Sequence, residues 1–149
     1  MSADRFLADA MCGRLATYLR MCGYDTAYAL DRGVEADDAL AALAREEDRR
    51  LVTRDRGLAE RVEGAVLLTS RDIEGQLREL RAVGVDLLLS DPSRCSACNG
   101  QLDRIPGDAS TPEYAPDPAL ERVWCCANCG QFYWKGSHWN DVEGRLADL

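Results

Sequence analysis

Lysine is almost absent from this chain of 149 residues. Lys135 is its one lysine, and arginine supplies the other 17 of the 18 basic residues. The formal net charge is −8, because 26 acidic residues outnumber the basic ones. An acidic surface argues against general binding to nucleic acid, since phosphate groups require positive charge. A nucleic-acid partner would therefore need arginines that cluster locally, or a surface adapted to high salt.

The chain also lacks a long apolar run and a signal-peptide pattern. No apolar stretch is long enough to cross a bilayer, and residues 1–5 do not resemble the start of a secretory signal. We therefore expect a cytoplasmic protein with no membrane partner. In that reducing compartment, its seven cysteines favour metal binding over disulfide formation.

Four of the cysteines form two CxxC pairs in the last third of the chain. Cys95 and Cys98 form the first pair, Cys126 and Cys129 form the second, and a glycine follows each pair closely. Two such pairs are typical of a tetrahedral structural zinc site. Cys125 is a less suitable ligand, because with Cys129 it gives a CxxxC spacing. The sequence predicts a zinc ribbon whose Zn²⁺ has no open position for catalysis.

Short apolar runs alternate with helical patterns before the first CxxC pair. The predicted strands span residues 5–8, 26–30, 50–53 and 65–68, and the predicted helices span residues 11–21, 37–47, 58–62 and 73–83. This alternation predicts an α/β fold with a parallel sheet covered on both faces. The composition changes near residue 90, so we predict two domains, at 1–90 and 91–149. Residues 106–118 are predicted to form a loop.

Aspartates follow two of the predicted strands and begin a predicted helix between them. Asp9 follows the first strand, Asp55 follows the third, and Asp37 or Asp38 opens the helix. Parallel strands bring such groups to one edge of a sheet, and Asp72 could add a fourth carboxylate. Mg²⁺ or Mn²⁺ would neutralise this cluster and activate water for attack on a phosphodiester. Helix N-caps and solvated surface acids are the alternative.

Five blocks, at residues 9–25, 51–55, 93–99, 126–130 and 133–138, occur in order along nearly the whole chain. Together they resemble the Mut-seven C-terminal RNase domain family, a PIN-like nuclease domain with an appended zinc ribbon. The resemblance implies a PIN-like parallel sheet flanked by helices, and a metal-dependent ribonuclease that acts on RNA. Cys12 departs from the leucine that is common in the family, which is a core-like substitution that leaves the chemistry intact.

The resemblance also assigns roles to individual residues. Asp9 matches the family's first-strand carboxylate, and Asp55 matches the aspartate of its Thr-Arg-Asp motif. The helix-start acid matches Asp37 best, with Asp38 as the near alternative and Asp72 as an additional candidate. Asp9, Asp37 and Asp55 would then hold the catalytic Mg²⁺ or Mn²⁺.

Four basic or titratable side chains are candidates for binding the substrate. Arg14 and Arg54 lie inside matched blocks, and a guanidinium fork suits phosphate oxygens. Lys135, beside Trp134, and the single histidine, His138, would contact RNA from the ribbon. For the arginines, the alternative is pairing with acidic groups. The ribbon aromatics Trp124, Phe132, Tyr133, Trp134 and Trp139 could stack on bases or form the small core that a ribbon needs.

Three other functions stay open from the sequence. The chain could be a non-catalytic RNA-binding module whose acidic pocket has decayed. It could be a toxin that shares the nuclease fold and pairs with an antitoxin, although such toxins usually lack a ribbon. It could also be a protein-interaction adaptor built on the ribbon. A homodimer is a further expectation, because PIN-like domains often dimerise.

The charge pattern generates a testable prediction. We favour a high-salt habitat, that of a halophilic archaeon, although GC-rich coding explains part of the excess of arginine over lysine. The fold is expected to be lost reversibly at low salt, because the repulsion between carboxylates is then unscreened. Circular dichroism across a salt series measures this loss. Full stability at low salt would refute the habitat hypothesis.

Overall fold

A parallel sheet and an antiparallel sheet organise residues 5–149, the part of the chain that the computed structural model describes. Residues 1–4, which carry most of the expectation about a signal peptide, lie outside it. The elements are β1 (Arg5–Ala8), α1 (Gly13–Met21), β2 (Asp25–Tyr28), α2 (Asp37–Glu46), β3 (Arg50–Thr53), α3 (Arg56–Arg61), β4 (Val66–Leu67), α4 (Ile73–Ala82), β5 (Leu102–Arg104), β6 (Trp124–Cys126), β7 (Phe132–Tyr133) and α5 (Ser137–Ala147).

The first four strands form a wholly parallel sheet in the order β2-β1-β3-β4. The chain passes from β1 to β2 on one side, and then crosses to β3 on the other side of β1. The strand order therefore reverses between β1 and β3. In open parallel sheets such a reversal leaves a crevice at the carboxyl ends of the two strands. The predicted α/β fold is confirmed.

Alternating side chains bury both faces of this sheet, because successive residues of a strand point to opposite faces. Phe6 and Ala8 of β1 lie in one core cluster, together with residues of α1, α4 and α5. Leu7, between them, lies in a second cluster with residues of α2 and α3. Both faces of the sheet are thus covered by helices, and the charged residues of its strands, Arg5, Asp25 and Arg50, lie at the strand starts.

Helix α5 is an element that the sequence analysis did not predict. Its residues Trp139, Val142 and Leu146 are buried in the cluster that contains Phe6. Their three- and four-residue spacing fits one helical face, but Gly136 at the N-cap position provides no side-chain signal for a helix start. The division at residue 90 stays a prediction. The C-terminal segment nevertheless completes the core of the parallel-sheet layer.

Strands β5, β6 and β7 form the antiparallel sheet, next to the two CxxC loops. Its apolar cluster contains Cys95, Leu102, Trp124 and Cys126. Trp124 is buried, so this aromatic residue belongs to the ribbon's core. Residues 106–118 contain no helix or strand, in agreement with the predicted loop.

Asn99, directly after the first CxxC pair, joins the ribbon to the edge strand β2. Its side-chain N–H donates to the Asp25 carboxylate over 2.7 Å, and its side-chain oxygen accepts the Thr26 N–H over 2.9 Å. Arg49 donates to the same carboxylate over 2.8 Å. Burial raises the pKa of Asp25, but these hydrogen bonds outweigh it and hold the pKa below its usual range.

Arg20 makes a second connection between the two layers. Its guanidinium is almost fully buried and donates to the carbonyl of Thr26 over 2.9 Å and to that of Ser96 over 3.0 Å. It also forms an ion pair with Asp31. Arg20 is therefore a structural residue, and it fixes the first CxxC loop against α1 and β2.

The Asn99 contacts generate a stability prediction. Asn99→Gly removes both side-chain hydrogen bonds without straining the backbone, because residue 99 has a φ of 72° and glycine adopts that region freely. We expect a loss of about 1–3 kcal/mol in the free energy of unfolding, since the Asp25 carboxylate loses one of its donors and the Thr26 N–H loses its acceptor. Urea denaturation measures it. Asn140→Ala, at an exposed position of α5, is the control; an equal loss in both variants would contradict the prediction.

The pH dependence of the same variant has a definite sign. Folding lowers the pKa of Asp25, so its contribution to stability is present above the usual carboxyl pKa and is lost as the pH falls through the lowered value. Removing Asn99 raises that folded-state pKa. The difference in the free energy of unfolding between wild type and Asn99→Gly should therefore become smaller as the pH falls from the usual carboxyl pKa through the lowered pKa of Asp25.

Candidate metal centre and acidic edge

The two CxxC loops bring the four predicted ligand sulfurs together. The Sγ atoms of Cys95, Cys98, Cys126 and Cys129 all lie within 4.8 Å of one another. The pairs Cys95–Cys129 and Cys98–Cys126 are each separated by 3.6 Å. Sulfurs at the corners of a tetrahedron ~2.3 Å from one ion lie ~3.8 Å apart. This donor set therefore fits a metal such as zinc, and the four-cysteine group is confirmed.

Hydrogen-bond donors and hydroxyl groups lie close to three of these sulfurs, those of Cys95, Cys98 and Cys126. The backbone N–H groups of Asn128 and Cys129 point at Cys126 Sγ over 3.4 Å, and the Tyr133 hydroxyl lies 2.9 Å from Cys95 Sγ. Burial raises the pKa of Cys98, but hydrogen bonds from the Asn128 side chain and the Gly100 backbone bring it down to about 6. Thiolates are the form that binds metal, so these contacts orient the ligands and favour binding.

The other three cysteines are not part of this group. Cys125 Sγ lies 3.5 Å from the carbonyl of Gly130, so the CxxxC alternative is not the one that the structure forms. Burial raises the pKa of Cys12 to about 11 and that of Cys22 to about 12. Both are therefore neutral thiols at physiological pH, as expected for packing residues.

Adjacent cysteines provide a matched test of the metal centre. Cys126→Ser should lower bound zinc from about one ion per chain and destabilise the ribbon, because the free energy of metal binding is also folding free energy. Cys125→Ser should leave the zinc content unchanged. Elemental analysis and thermal unfolding of both variants measure this difference. Equal zinc content in the two variants would contradict the assignment of Cys126.

The second candidate site lies where β1 and β3 end, and a threonine hydroxyl connects its two acids. Thr53, which is fully buried, donates its hydroxyl hydrogen to Asp9 Oδ2 over 2.7 Å. The same hydroxyl oxygen accepts the backbone N–H of Asp55 over 3.0 Å. Asp9 Oδ1 also accepts the Ala10 N–H over 2.7 Å. The structure thus brings Asp9 and Asp55 to the point where the strand order reverses.

Asp55 also caps a helix. Its Oδ1 accepts the Leu58 N–H over 3.2 Å at the start of α3, and its side chain is exposed. Within residues 5–149, Asp55 Oδ2 has no hydrogen-bond partner. Asp55 is therefore a helix N-cap, as the alternative interpretation of the sequence predicted. The capping bond uses only Oδ1, so Oδ2 is available to a cation. Carboxylate oxygens of this kind are the donors that hard divalent cations such as Mg²⁺ and Mn²⁺ prefer.

The remaining predicted acids lie at helix starts. Asp37 is exposed in the first turn of α2, and Asp38 beside it forms an ion pair with Arg61. Asp72 caps α4 by accepting the Gly75 N–H over 2.9 Å. In the described part of the chain, no acids gather as tightly as the four cysteines do. The structure therefore connects Asp9 with Asp55, while Asp37 and Asp72 stand apart from that hydrogen-bonded pair.

A groove of about 290 Å³ lies beside the turn that follows Asp9. Its lining includes Arg14, which the sequence analysis proposed, as well as Arg71 and Arg145, which it did not. Asp72 also lines this groove. Arg145 forms an ion pair with Glu74 at 3.3 Å. The positions of Arg71 and Arg145 depend on the start of α4 and on the packing of α5, so the local sequence carried no signal for them.

Arg54 follows the buried threonine, and its own side chain is incompletely satisfied. Its Nε atom is buried and has no hydrogen-bond partner among residues 5–149. Its positive charge acts on Cys12, in the turn after Asp9. An unpaired guanidinium N–H is costly when buried, and an anionic oxygen would satisfy it. This side chain is therefore suited to hold a phosphate near the two acids.

The proposed ribbon contacts lie elsewhere. Lys135 forms an ion pair with Asp91 at 2.8 Å and lies over the ring of Trp139, and its role in binding RNA together with Trp134 stays a prediction. His138 is exposed and lines a second cavity, of about 220 Å³, at the junction of the ribbon with α5. Neither residue belongs to the acidic edge. Both lie at the aromatic side of the molecule.

Two aspartates linked through Thr53 lie at the reversal point of a parallel sheet, and a separate four-cysteine group could hold a metal; together these features characterise an α/β protein with a zinc ribbon. The chain belongs to the Mut7-C RNAse domain family, whose sequence model matches residues 4–146. The predicted resemblance is therefore confirmed, and the family indicates a nuclease. No curated protein and no solved structure matches the chain. In the described residues, no helix is long and apolar enough to cross a membrane.

Proposed function

We propose that this protein is a ribonuclease that hydrolyses RNA phosphodiester bonds with the help of Mg²⁺ or Mn²⁺. The Asp9–Thr53–Asp55 connection carries the proposal, because it fixes the Asp9 carboxylate and the backbone of Asp55 at the crevice of a parallel sheet. Membership of an RNAse domain family supports RNA as the substrate. The homodimer and the cytoplasmic, high-salt setting stay predictions from the sequence.

The acids would hold the catalytic cation through side chains that the fold already orients. Asp9 and Asp55 would be ligands, with Asp37 as the third, and a cation bound there would supply charge neutralisation and activation of water. The Thr53 hydroxyl and the Ala10 N–H fix the Asp9 carboxylate. Such second contacts set the direction in which a ligand's lone pairs point. The proposed site is thus built before any substrate arrives.

Arginines would position the RNA backbone. Arg54, whose Nε is unpaired within residues 5–149, directly precedes Asp55, and Arg14 and Arg71 line the groove next to the Asp9 turn. A guanidinium holds a phosphate through two parallel hydrogen bonds and does not lose its charge at any physiological pH. Three such groups would guide a strand toward the acidic edge of an otherwise acidic protein.

Asp37 and Asp38 have different prospects as the third acid. Asp38 is engaged by Arg61, whereas Asp37 forms no ion pair within residues 5–149. A ligand must give its oxygen to the cation, so the engaged residue is the poorer candidate. Asp72 caps α4 through one oxygen, as Asp55 caps α3, but it lies outside the hydrogen bonds that connect Asp9 with Asp55, so it would be the weakest candidate for a fourth acid.

Replacement of the acids by their amides tests this proposal. Asp9→Asn and Asp55→Asn should each lower Mn²⁺-dependent cleavage of a labelled single-stranded RNA by at least about 100-fold, because even the groups behind a ligand are worth ~10–100-fold. Asn caps helices as well as Asp does, so Asp55→Asn should keep α3 intact. Gel assays of cleavage and circular dichroism of the fold measure both effects.

The paired aspartates at the start of α2 serve as the internal control. Asp37→Asn should lower cleavage strongly, whereas Asp38→Asn removes the same charge one residue away and should lower it little. Asp108→Asn, in the exposed loop, controls for net charge. Unchanged cleavage by the Asp9 and Asp55 variants would refute the acidic site. Binding of RNA without cleavage by wild type in any divalent metal would point to a binding module.

A further inference from the structure

A cavity of about 220 Å³ lies between the ribbon and α5, away from the acidic edge. Aromatic side chains supply much of its wall, among them Phe132, Trp134 and Trp139. Ser96, Gln131 and His138 contribute polar groups. Drug-sized ligands occupy pockets of ~300 Å³ or more. This smaller cavity therefore suits one planar ring system with hydrogen-bonding groups at its edge.

The position of Trp134 is fixed by its neighbours. A Cβ atom at position 136 would lie 2.5 Å from Trp134 Nε1, so only glycine lets the indole lie this close to the start of α5. The ring of Tyr114 packs 6.2 Å away from that of Trp134. An indole held in place loses little entropy when a ligand stacks on it. Trp134 is thus preorganised for stacking. A residue that only fills a core would not need an orientation fixed in this way.

The first turn of α5 offers a place for negative charge beside this wall. Gly136 at the N-cap position has no side chain to accept the helix's first N–H groups, and Ser137 and His138 of that turn line the cavity. Helix N-termini attract phosphate. The aromatic wall matches the base of a nucleotide, and the helix start next to it matches the phosphate. An aromatic side chain of a protein partner would contact the wall but has no phosphate for the helix start.

Two helices connect this cavity to the acidic edge. Helix α1 lines the groove beside the Asp9 turn with Arg14 and Leu15, near the start of the helix. The same helix lines the aromatic cavity with Met21, at its end. Helix α5 does the reverse, with His138 at the cavity and Arg145 at the groove. These residues are six to seven positions apart on each helix, which corresponds to ~9–11 Å. Stacked nucleotides rise ~3.4 Å each along one strand, so about three to four nucleotides would bridge the two sites.

We propose that the aromatic cavity at the ribbon binds one unpaired nucleobase of an RNA strand, about three to four nucleotides from the phosphate held at the acidic edge. The inference rests on the proposed nuclease function and extends it to the choice of substrate. The cavity selects single-stranded RNA, because a paired base cannot leave its stack to enter it. The strand runs over the surface beside α5, because α1 is buried along most of its length, and the distance between base and phosphate sets where the cut falls.

A series of abasic substrates tests this proposal. The probes are single-stranded 12-mers of RNA with a 5′ fluorophore, each with an abasic ribose at a different position. Binding is measured by fluorescence anisotropy without added divalent metal, and the cut position is measured separately with Mn²⁺. In wild type, an abasic ribose three to four nucleotides from the cut should weaken binding about five- to 100-fold, the range expected for loss of one base–aromatic stack.

Variants of Trp134 complete the experiment. Trp134→Ala should weaken binding of the intact strand by a similar factor and remove the effect of the abasic position. Trp134→Phe should retain most of both, because the phenyl ring still stacks. Leu120→Ala, at an exposed position outside the cavity, is the control. Zinc content shows whether each variant keeps its ribbon; if Trp134→Ala loses zinc, Trp134→Phe and His138→Ala replace it in the comparison.

The outcomes separate the two proposals. Cleavage at the acidic edge, with no sensitivity to any abasic position and none to Trp134, would overturn the base site and leave the nuclease intact. Absence of cleavage, with base-dependent binding that requires Trp134, would overturn the nuclease and support the base site. Competition by an aromatic dipeptide but not by a nucleoside monophosphate would overturn the base site in favour of a protein partner.

Discussion

The hydrogen-bonded pair of Asn99 and Asp25 is the contact on which the relation between the two layers depends. Asn99 follows Cys98 directly and takes a left-handed backbone conformation with a φ of 72°. The CxxC loop therefore fixes its backbone, and its amide then satisfies both the Asp25 carboxylate and the outer N–H of Thr26. Strand β2 pairs with β1, and β1 leads into Asp9. The metal centre is thus coupled to the acidic edge through two strands.

Arginine, not lysine, makes this arrangement possible. Arg49 is buried and donates through one nitrogen to the Asp25 carboxylate and to the Phe6 carbonyl, while its Nε donates to Glu47. Arg20 donates to two carbonyls that belong to different layers. A lysine ammonium has one nitrogen at the end of a flexible stem and could not reach such separated acceptors at once. Part of the arginine excess is therefore structural, whatever the salt content of the habitat.

The sequence alone predicted the features that depend on neighbouring residues in the chain. Phe6, Leu7 and Ala8 already show a strand buried on both faces, and the CxxC pairs identify their own metal group. Asn99, Arg71 and Arg145 could not be found in this way, because their roles depend on partners more than 70 residues away or on how α5 packs. The link between Asp9 and Asp55 lies between these cases. Strand ends in a parallel sheet predict that the acids meet, but only the structure shows Thr53 joining them.

The proposed path of RNA across this acidic protein must be narrow. With a net charge of −8, most of the surface repels phosphate, so non-specific contacts are weak and steering depends on where arginines gather. Arg14, Arg71 and Arg54 lie at one end of that path, and the aromatic cavity lies at the other. Base stacking depends far less on salt than phosphate pairing does. Base stacking in the cavity would keep its contribution to RNA affinity at high salt, whereas a purely basic surface would lose most of its affinity there.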